Sequence, residues 1–225
     1  MTSNKDISMK PILFNTPMVQ ALLNTKPGIY PVEPIAPNRP CKSQTRRVMK
    51  PQPKHRAEPD SDWHPGREYP LAFWVDNMRW IKPKYQVGDR LWVREVWNKH
   101  PDIKDCCNPK HCTCCLHVEG DFIYKASFTM DEHGSFYYPC CGWESPIFMP
   151  RDAARLFLEV REVRVERLQD ITEADTIAEG TLAAPLNKWD KSLPRDIFAA
   201  SWNAINGKGA WESNPWVWVY GLMRV

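Results

Sequence analysis

Hydrophobic positions recur with two different periods along this chain. Residues 90–97, Arg-Leu-Trp-Val-Arg-Glu-Val-Trp, follow a Gly88-Asp89 turn and alternate like a strand with one buried face. Residues 151–165 alternate again through Leu156, Leu158, Val160, Val163 and Val165, and the odd step after Val160 predicts a bulge or a change of strand. Ile12-Leu13-Phe14 reads as a short strand, and the aromatic, β-branched run 215–225 as a final, well-buried one. Helical spacing takes over elsewhere. Thr16 is expected to cap a helix with Pro17 at its first position and Val19, Leu22 and Leu23 on one face. Thr172-Glu173-Ala174-Asp175 predicts a capping box, with Gly180 closing that short helix. Pro194 opens another helix in which Phe198, Trp202 and Ile205 share a face, stopped at Asn206-Gly207. Residues 57–84, with Trp63, Trp74 and Trp80, read as a loop-rich connection. Strands predominate and short helices decorate them, so the expected class is an α+β domain, a small barrel.

Composition narrows the picture. At 225 residues, 43% hydrophobic and 25% charged, the chain fits one domain with a sizeable insertion and not a disordered polymer. Its net charge of +3 is too mild to mark a nucleic-acid binder by itself. Eleven Trp suggest flat apolar surfaces, packed in a core or offered to rings such as bases, and 21 Pro argue against a helical bundle. No apolar stretch approaches the ~20 residues of a membrane span, and residues 1–10 lack the apolar core of a signal peptide. A cytoplasmic protein with reduced thiols is expected.

Three segments carry candidate chemistry. Prolines at 31, 34, 37 and 40 have the three-residue period of a polyproline II segment, a stiff exposed loop or a ligand for an aromatic groove. Residues 39–56 hold Arg39, Lys42, Arg46, Arg47, Lys50, Lys54 and Arg56 with no acidic residue among them, a candidate for phosphate contacts or simply a solvated face. Seven of the eight cysteines fall within residues 106–141. In a reducing compartment such a cluster reads as metal ligands, and the Cys112-x-x-Cys115 pair has the spacing that grips one Zn²⁺. The expected ligands of a structural zinc are Cys107, Cys112, Cys115 and one of Cys140 or Cys141, with His111 or His117 as substitutes; free surface cysteines are the alternative.

Lys42-Ser43-Gln44-Thr45-Arg46-Arg47, together with residues 10–23, 87–95, 146–180 and 211–225, resembles the ASCH domain of the PUA-like superfamily, in its phage and prophage versions. The resemblance covers about two thirds of the chain. It implies a single domain over residues 1–225, a small mixed β-barrel flanked by short helices, with a proline-rich insertion at 26–41 and a Cys-rich, zinc-binding insertion at 101–145. Two departures stand out: Pro40-Cys41-Lys42-Ser43 replaces the usual Gly-Arg-Lys-Thr, and the cysteine region is absent from compact members.

Domains of this kind are similar to RNA-binding modules, and small relatives remove the acetyl group from acetylcytidine. By resemblance, Lys42, Thr45 and Glu179 match the residues those relatives use. Their chemistry is coherent: a desolvated lysine can take the proton of a threonine hydroxyl, and a carboxylate can pass it to the leaving amine. Each also has a plain structural role open to it, phosphate binding, turn formation or exposure at a helix end. Three functions therefore compete. One is a binding module for RNA, a modified nucleoside or DNA, with Ser43, Arg46, Arg47 and Trp92 lining the cleft. Another is a hydrolase of acetylated cytidine or RNA using Lys42, Thr45 and Glu179. The third is a phage structural or interaction protein without catalysis. The oligomeric state is open in all three.

Overall fold

The computed structural model describes residues 9–30, 33, 35, 40–53, 72–74, 79–99, 121–127, 142–181 and 193–225. The cysteines and histidines of 106–141, and with them the zinc expectation, lie outside these, as do Pro31, Pro34, Pro37, Arg39, Lys54, Arg56 and Trp63. The described architecture is mixed α+β. Its centre is a five-stranded sheet in the order β1 (Lys10–Leu13), β5 (Arg90–Arg94), β8 (Phe157–Arg167), β9 (Trp216–Arg224) and β2 (Gln44–Val48). β1 runs parallel to β5, and the remaining neighbours are antiparallel. Two hairpins stand apart: β3 (Ala72–Trp74) with β4 (Arg79–Ile81), and β6 (Trp97–Lys99) with β7 (Phe122–Tyr124). The helices are α1 (Thr16–Leu23), α2 (Glu173–Ala178) and α3 (Pro194–Asn206).

β8 and β9 form the spine. The predicted bulge is real: the register between them slips between Val160 and Glu162. Leu158 and Val160 before the slip, and Val163 and Val165 after it, therefore all reach the same core. β9 is apolar throughout because both its faces are covered. Trp218, Tyr220 and Leu222 join Leu91, Val93, Val19 and Leu22 on one side, while Val217 and Val219 pack on Phe198 and Trp202 of α3 on the other. Each such buried side chain contributes roughly 1.5–3 kcal/mol of burial.

The five-stranded sheet does not close into a barrel among the described residues; β1 and β2 are its edges. They are joined by side chains instead of a backbone ladder. Arg47 of β2 donates to the Leu13 carbonyl at the end of β1 (2.7 Å), while Tyr85, in the segment before β5 and edge-on to Tyr220 of β9, donates its hydroxyl to the Pro11 carbonyl (2.7 Å).

Several local expectations change. Asn15, not Thr16, caps α1: its Oδ1 accepts from the Met18 amide at 3.0 Å, one residue earlier than expected, so Thr16 and Pro17 both enter the first turn. The loop-rich connection contains the β3–β4 hairpin. The alternating run 90–97 is split, with β5 ending at Arg94 and β6 beginning at Trp97. In α3, Phe198 and Trp202 are buried but Ile205 is exposed. The capping box of α2 forms as read: Thr172 Oγ1 accepts from the Asp175 amide at 3.1 Å, and the Asp175 carboxylate receives the Thr172 amide at 3.4 Å.

Candidate functional site

Lys42 sits just before β2, threaded between two helix ends. Its amide donates to the Ala21 carbonyl in α1 (3.2 Å), the Ser43 amide to the Ala178 carbonyl in α2 (2.8 Å), and the Leu222 amide to the Ser43 carbonyl (2.7 Å). Lys42 and Glu179 pair as a single antiparallel bridge. Gly180 makes that approach possible. It adopts φ +92°, open to glycine at little cost, and a Cβ there would stand 3.0 Å from the Ala21 Cβ and 3.4 Å from the Lys42 Cβ. The ends of α1 and α2 can therefore clasp the lysine from both sides.

The side chains meet as closely as the backbones. Lys42 Nζ donates to Glu179 Oε2 at 2.9 Å and to the Glu179 carbonyl at 2.8 Å, across 137 positions of sequence. The Lys42 side chain has no exposed surface, and its ammonium stands 5.5 Å from the centre of the Phe14 ring. Burial pushes its pKa below the ordinary lysine value; the Glu179 carboxylate opposes that shift, while Arg47 and Arg46 add to it. A buried lysine biased toward its neutral form and held on a carboxylate can accept a proton and return it. Thr45, three residues on, is buried in β2 opposite Tyr220 of β9. Burial pushes the pKa of the Tyr220 phenol up to about 12.

Arg46 occupies the other side of Glu179. It is a buried strut, not a free cation awaiting phosphate. Its Nη1 donates to Glu179 Oε1 (3.1 Å), its Nε to Glu166 Oε1 (3.0 Å), and its Nη2 also pairs with Glu166 and lies 3.4 Å from Asp175 Oδ2. The run 39–56 lacks acids in sequence, but β8 and α2 deliver three carboxylates to it in space. Although burial raises it, the Asp175 carboxyl is held below its usual value by the Thr172 hydrogen bond and by Arg46 and Arg164. Arg164 Nη2 donates to Asp175 Oδ1 at 2.8 Å and ties the cluster to the next residue on the same face of β8. The sequence pattern places Asp175 only in the capping box and assigns Glu166 no part, although the alternation Glu162, Arg164, Glu166 marks that face.

Trp92 is 5% exposed, and one ring face is covered by the Arg94 guanidinium 4.7 Å from its centre, so it offers no open surface to a base. Ser43 is half-buried and acts here through its backbone. Arg47 is half-buried, its guanidinium 5.3 Å from the Phe14 ring centre. It borders a cleft of about 760 Å³ whose walls include Phe14, Met18, Lys125 and Trp143, with the exposed Ile205 at its side. Phe14, read from sequence only as a strand residue, thus lies beneath both Lys42 and Arg47 and forms part of the cleft wall. Compared with known family models, curated proteins and solved structures, the chain matches none of them. Among the described residues, no helix is long and apolar enough to cross a membrane.

Proposed function

We propose that this is an ASCH-like domain that takes an acylated nucleoside, of the acetylcytidine kind, or the RNA that carries it, into the cleft beside Phe14 and removes the acyl group. One observation carries the reading: the fully buried Lys42 ammonium on Glu179, two residues distant in sequence that meet at 2.9 Å. Ion pairs buried this deeply cost desolvation energy and are weak sources of stability, so this one calls for another purpose. In the proposed reaction, Lys42 first passes its extra proton to Glu179 and then, as the neutral amine, takes the Thr45 hydroxyl proton as the oxygen attacks the acyl carbonyl. The tetrahedral adduct collapses as the C–N bond breaks, and the leaving amine receives that proton. A water, losing its proton to Lys42, then adds to the acyl-threonine; the bond to the Thr45 oxygen breaks, that oxygen takes the proton back, and the acid leaves. Arg46 holds Glu179 from behind, so the carboxylate keeps its place while the proton moves. Phe14 and Arg47 form the layer between the cleft and the buried ammonium, and they keep bulk water out. In the same reading the five-stranded sheet, its edge strands joined through Arg47, is a PUA-like barrel.

The test is a panel of acylated nucleosides and short RNAs, measured for binding and for acid release, with wild type beside Lys42→Ala. Release by wild type and its loss in the variant support the hydrolase. Binding without release by either protein would make this a binding module, and neither binding nor release would end the nucleoside reading.

A further inference from the structure

A second groove lies where the edge strands β1 and β2 face each other. It has a volume of about 390 Å³, within the range of about 300–1,000 Å³ of small-ligand sites, and shares Leu13 and Arg47 with the larger cleft. Among the described residues its charged side chains are Arg47, Lys50, Lys82 and Lys84, with no carboxylate. The three lysines are exposed and make no ion pair among the described residues; Lys84 leans over the Tyr85 ring, 5.2 Å from its centre. Tyr85, Trp218 and Tyr220, all buried, form an aromatic floor. A cleft of one charge sign over low-dielectric walls focuses its field outward. A chain with a net charge of only +3 thus concentrates four cations along one track, and that track leads to the proposed acyl-transfer cleft.

A free nucleoside has no use for these cations, because it carries no phosphate. We propose that the groove holds the phosphodiester backbone of a single-stranded nucleic acid, so that the nucleotide presented to Lys42 is part of a strand. Arg47 stands at the junction and contacts the phosphate next to that nucleotide. A double helix, whose phosphates lie on a convex cylinder, does not fit a concave groove between two strand edges. The inference rests on the proposed nucleoside site for its direction, but it can fail separately.

The experiment measures binding of a fluorescent 12-nucleotide single strand, as RNA and as DNA of the same sequence, and of the matching duplex, over a range of salt. Wild type is compared with Lys50→Ala/Lys82→Ala/Lys84→Ala and with a control, Lys99→Ala/Lys208→Ala, whose lysines lie outside the groove. Single strands should bind, and the groove variant should lose at least tenfold in affinity. Its slope of log affinity against log salt should flatten by about 2, near 0.7 per phosphate contact. The control should keep the wild-type slope. Preference for RNA over DNA would name the sugar; equal binding of both would assign recognition to the backbone alone. Equal loss in both variants, tighter binding of the duplex, or no binding of any strand would overturn the inference. Wild-type turnover of a free acylated nucleoside, measured in parallel, separates the two failures. Turnover without strand binding sinks only the groove, and groove-dependent strand binding without turnover sinks only the hydrolase.

Discussion

Among the described residues two glutamates are buried, each on a cation, and they are built differently. Glu95, at the end of β5, receives the flat fork of Arg155: Nε to Oε1 and Nη2 to Oε2, both at 2.9 Å. The same guanidinium donates to Ser127 and stacks 4.0 Å from the centre of the Tyr124 ring. Both carboxylate oxygens are committed to a cation that does not lose its proton in proteins, and the result is a pin between β5 and the segment carrying β7. Glu179 divides its oxygens, one to Arg46 and one to Lys42. A lysine can change its protonation state when desolvated, and here burial biases it toward doing so. Burial of an ion pair therefore does not by itself mark a site. What distinguishes the second pair is a titratable partner that packs against Phe14, a wall of the larger cleft.

The largest expected effect tests that distinction directly. Lys42→Met keeps the stem of the lysine and leaves Glu179 paired with Arg46. Acid release from an acylated nucleoside should fall by about 10²–10⁴, the usual contribution of a positioned proton acceptor. Urea unfolding should also lose about 1–3 kcal/mol, because Glu179 keeps Arg46 while its Oε2 loses its donor, so turnover is compared per folded molecule. Retained turnover would make the two glutamates equivalent struts. A different pattern is expected at the pin. Glu95→Ala leaves Arg155 without its carboxylate and should cost about 3 kcal/mol in urea unfolding, the low end for a broken buried pair because Arg155 is partly exposed. Turnover per folded molecule should persist.

The legible parts of this molecule were those whose signal is local. The bulge after Val160 came from a break in alternation, the α2 capping box from a four-residue pattern, and β9 from an uninterrupted apolar run. The meeting of Lys42 and Glu179 is not local; it followed from the resemblance of the Lys42 segment to a known domain. What misled was one-dimensional neighbourhood. Arg46 stands in an acid-free run of sequence, yet Glu166 and Asp175 reach it from 120 and 129 positions away because β8 and α2 fold alongside. Trp92 looked available because aromatic rings serve cores and bases alike, and only packing decides which. Asn15 was passed over as a cap because Thr16 and Pro17 offered an equally good pattern one residue later.

Alkaline pH separates the buried groups by sign. Lys42 has a folded pKa below the ordinary 10.5, so the unfolded chain binds its proton more readily. The stability withheld by that burial returns as the pH rises toward 10.5, and Lys42→Met should remove this rising limb. Tyr220 acts in the opposite direction. Its folded pKa is about 12 against an ordinary 10, so its contribution is complete below pH 10 and is lost as the pH climbs through 12. The total is about 2–3 kcal/mol, at 1.36 kcal/mol per unit. Urea unfolding from pH 8 to 12 should show a falling limb in wild type that is reduced in Tyr220→Phe, with Tyr30 and Tyr124, whose phenols burial also pushes up, supplying the remainder. Ultraviolet absorbance of that variant should lose one phenol ionising near pH 12. If both variants kept the wild-type profile, the site would not be as dry as its packing implies.

The smallest effect examines how Glu179 is held. It is the C-cap of α2, and that six-residue helix is too short to stand on its own hydrogen bonds. Its start is fixed by the Thr172 capping box, and the capping carboxylate, Asp175, also takes the Arg164 guanidinium. Thr172→Ala should cost about 1 kcal/mol, the usual value of a cap. Because the cap also helps hold Asp175 toward Arg46, its loss should loosen the arginine that supports Glu179 from behind. Acid release should then fall severalfold while Glu95 and its pin are untouched. Thr172→Ser, which keeps the capping oxygen, should restore both stability and rate. A Thr172→Ala protein that loses stability but keeps its full rate would show Glu179 to be positioned by Lys42 and Arg46 alone.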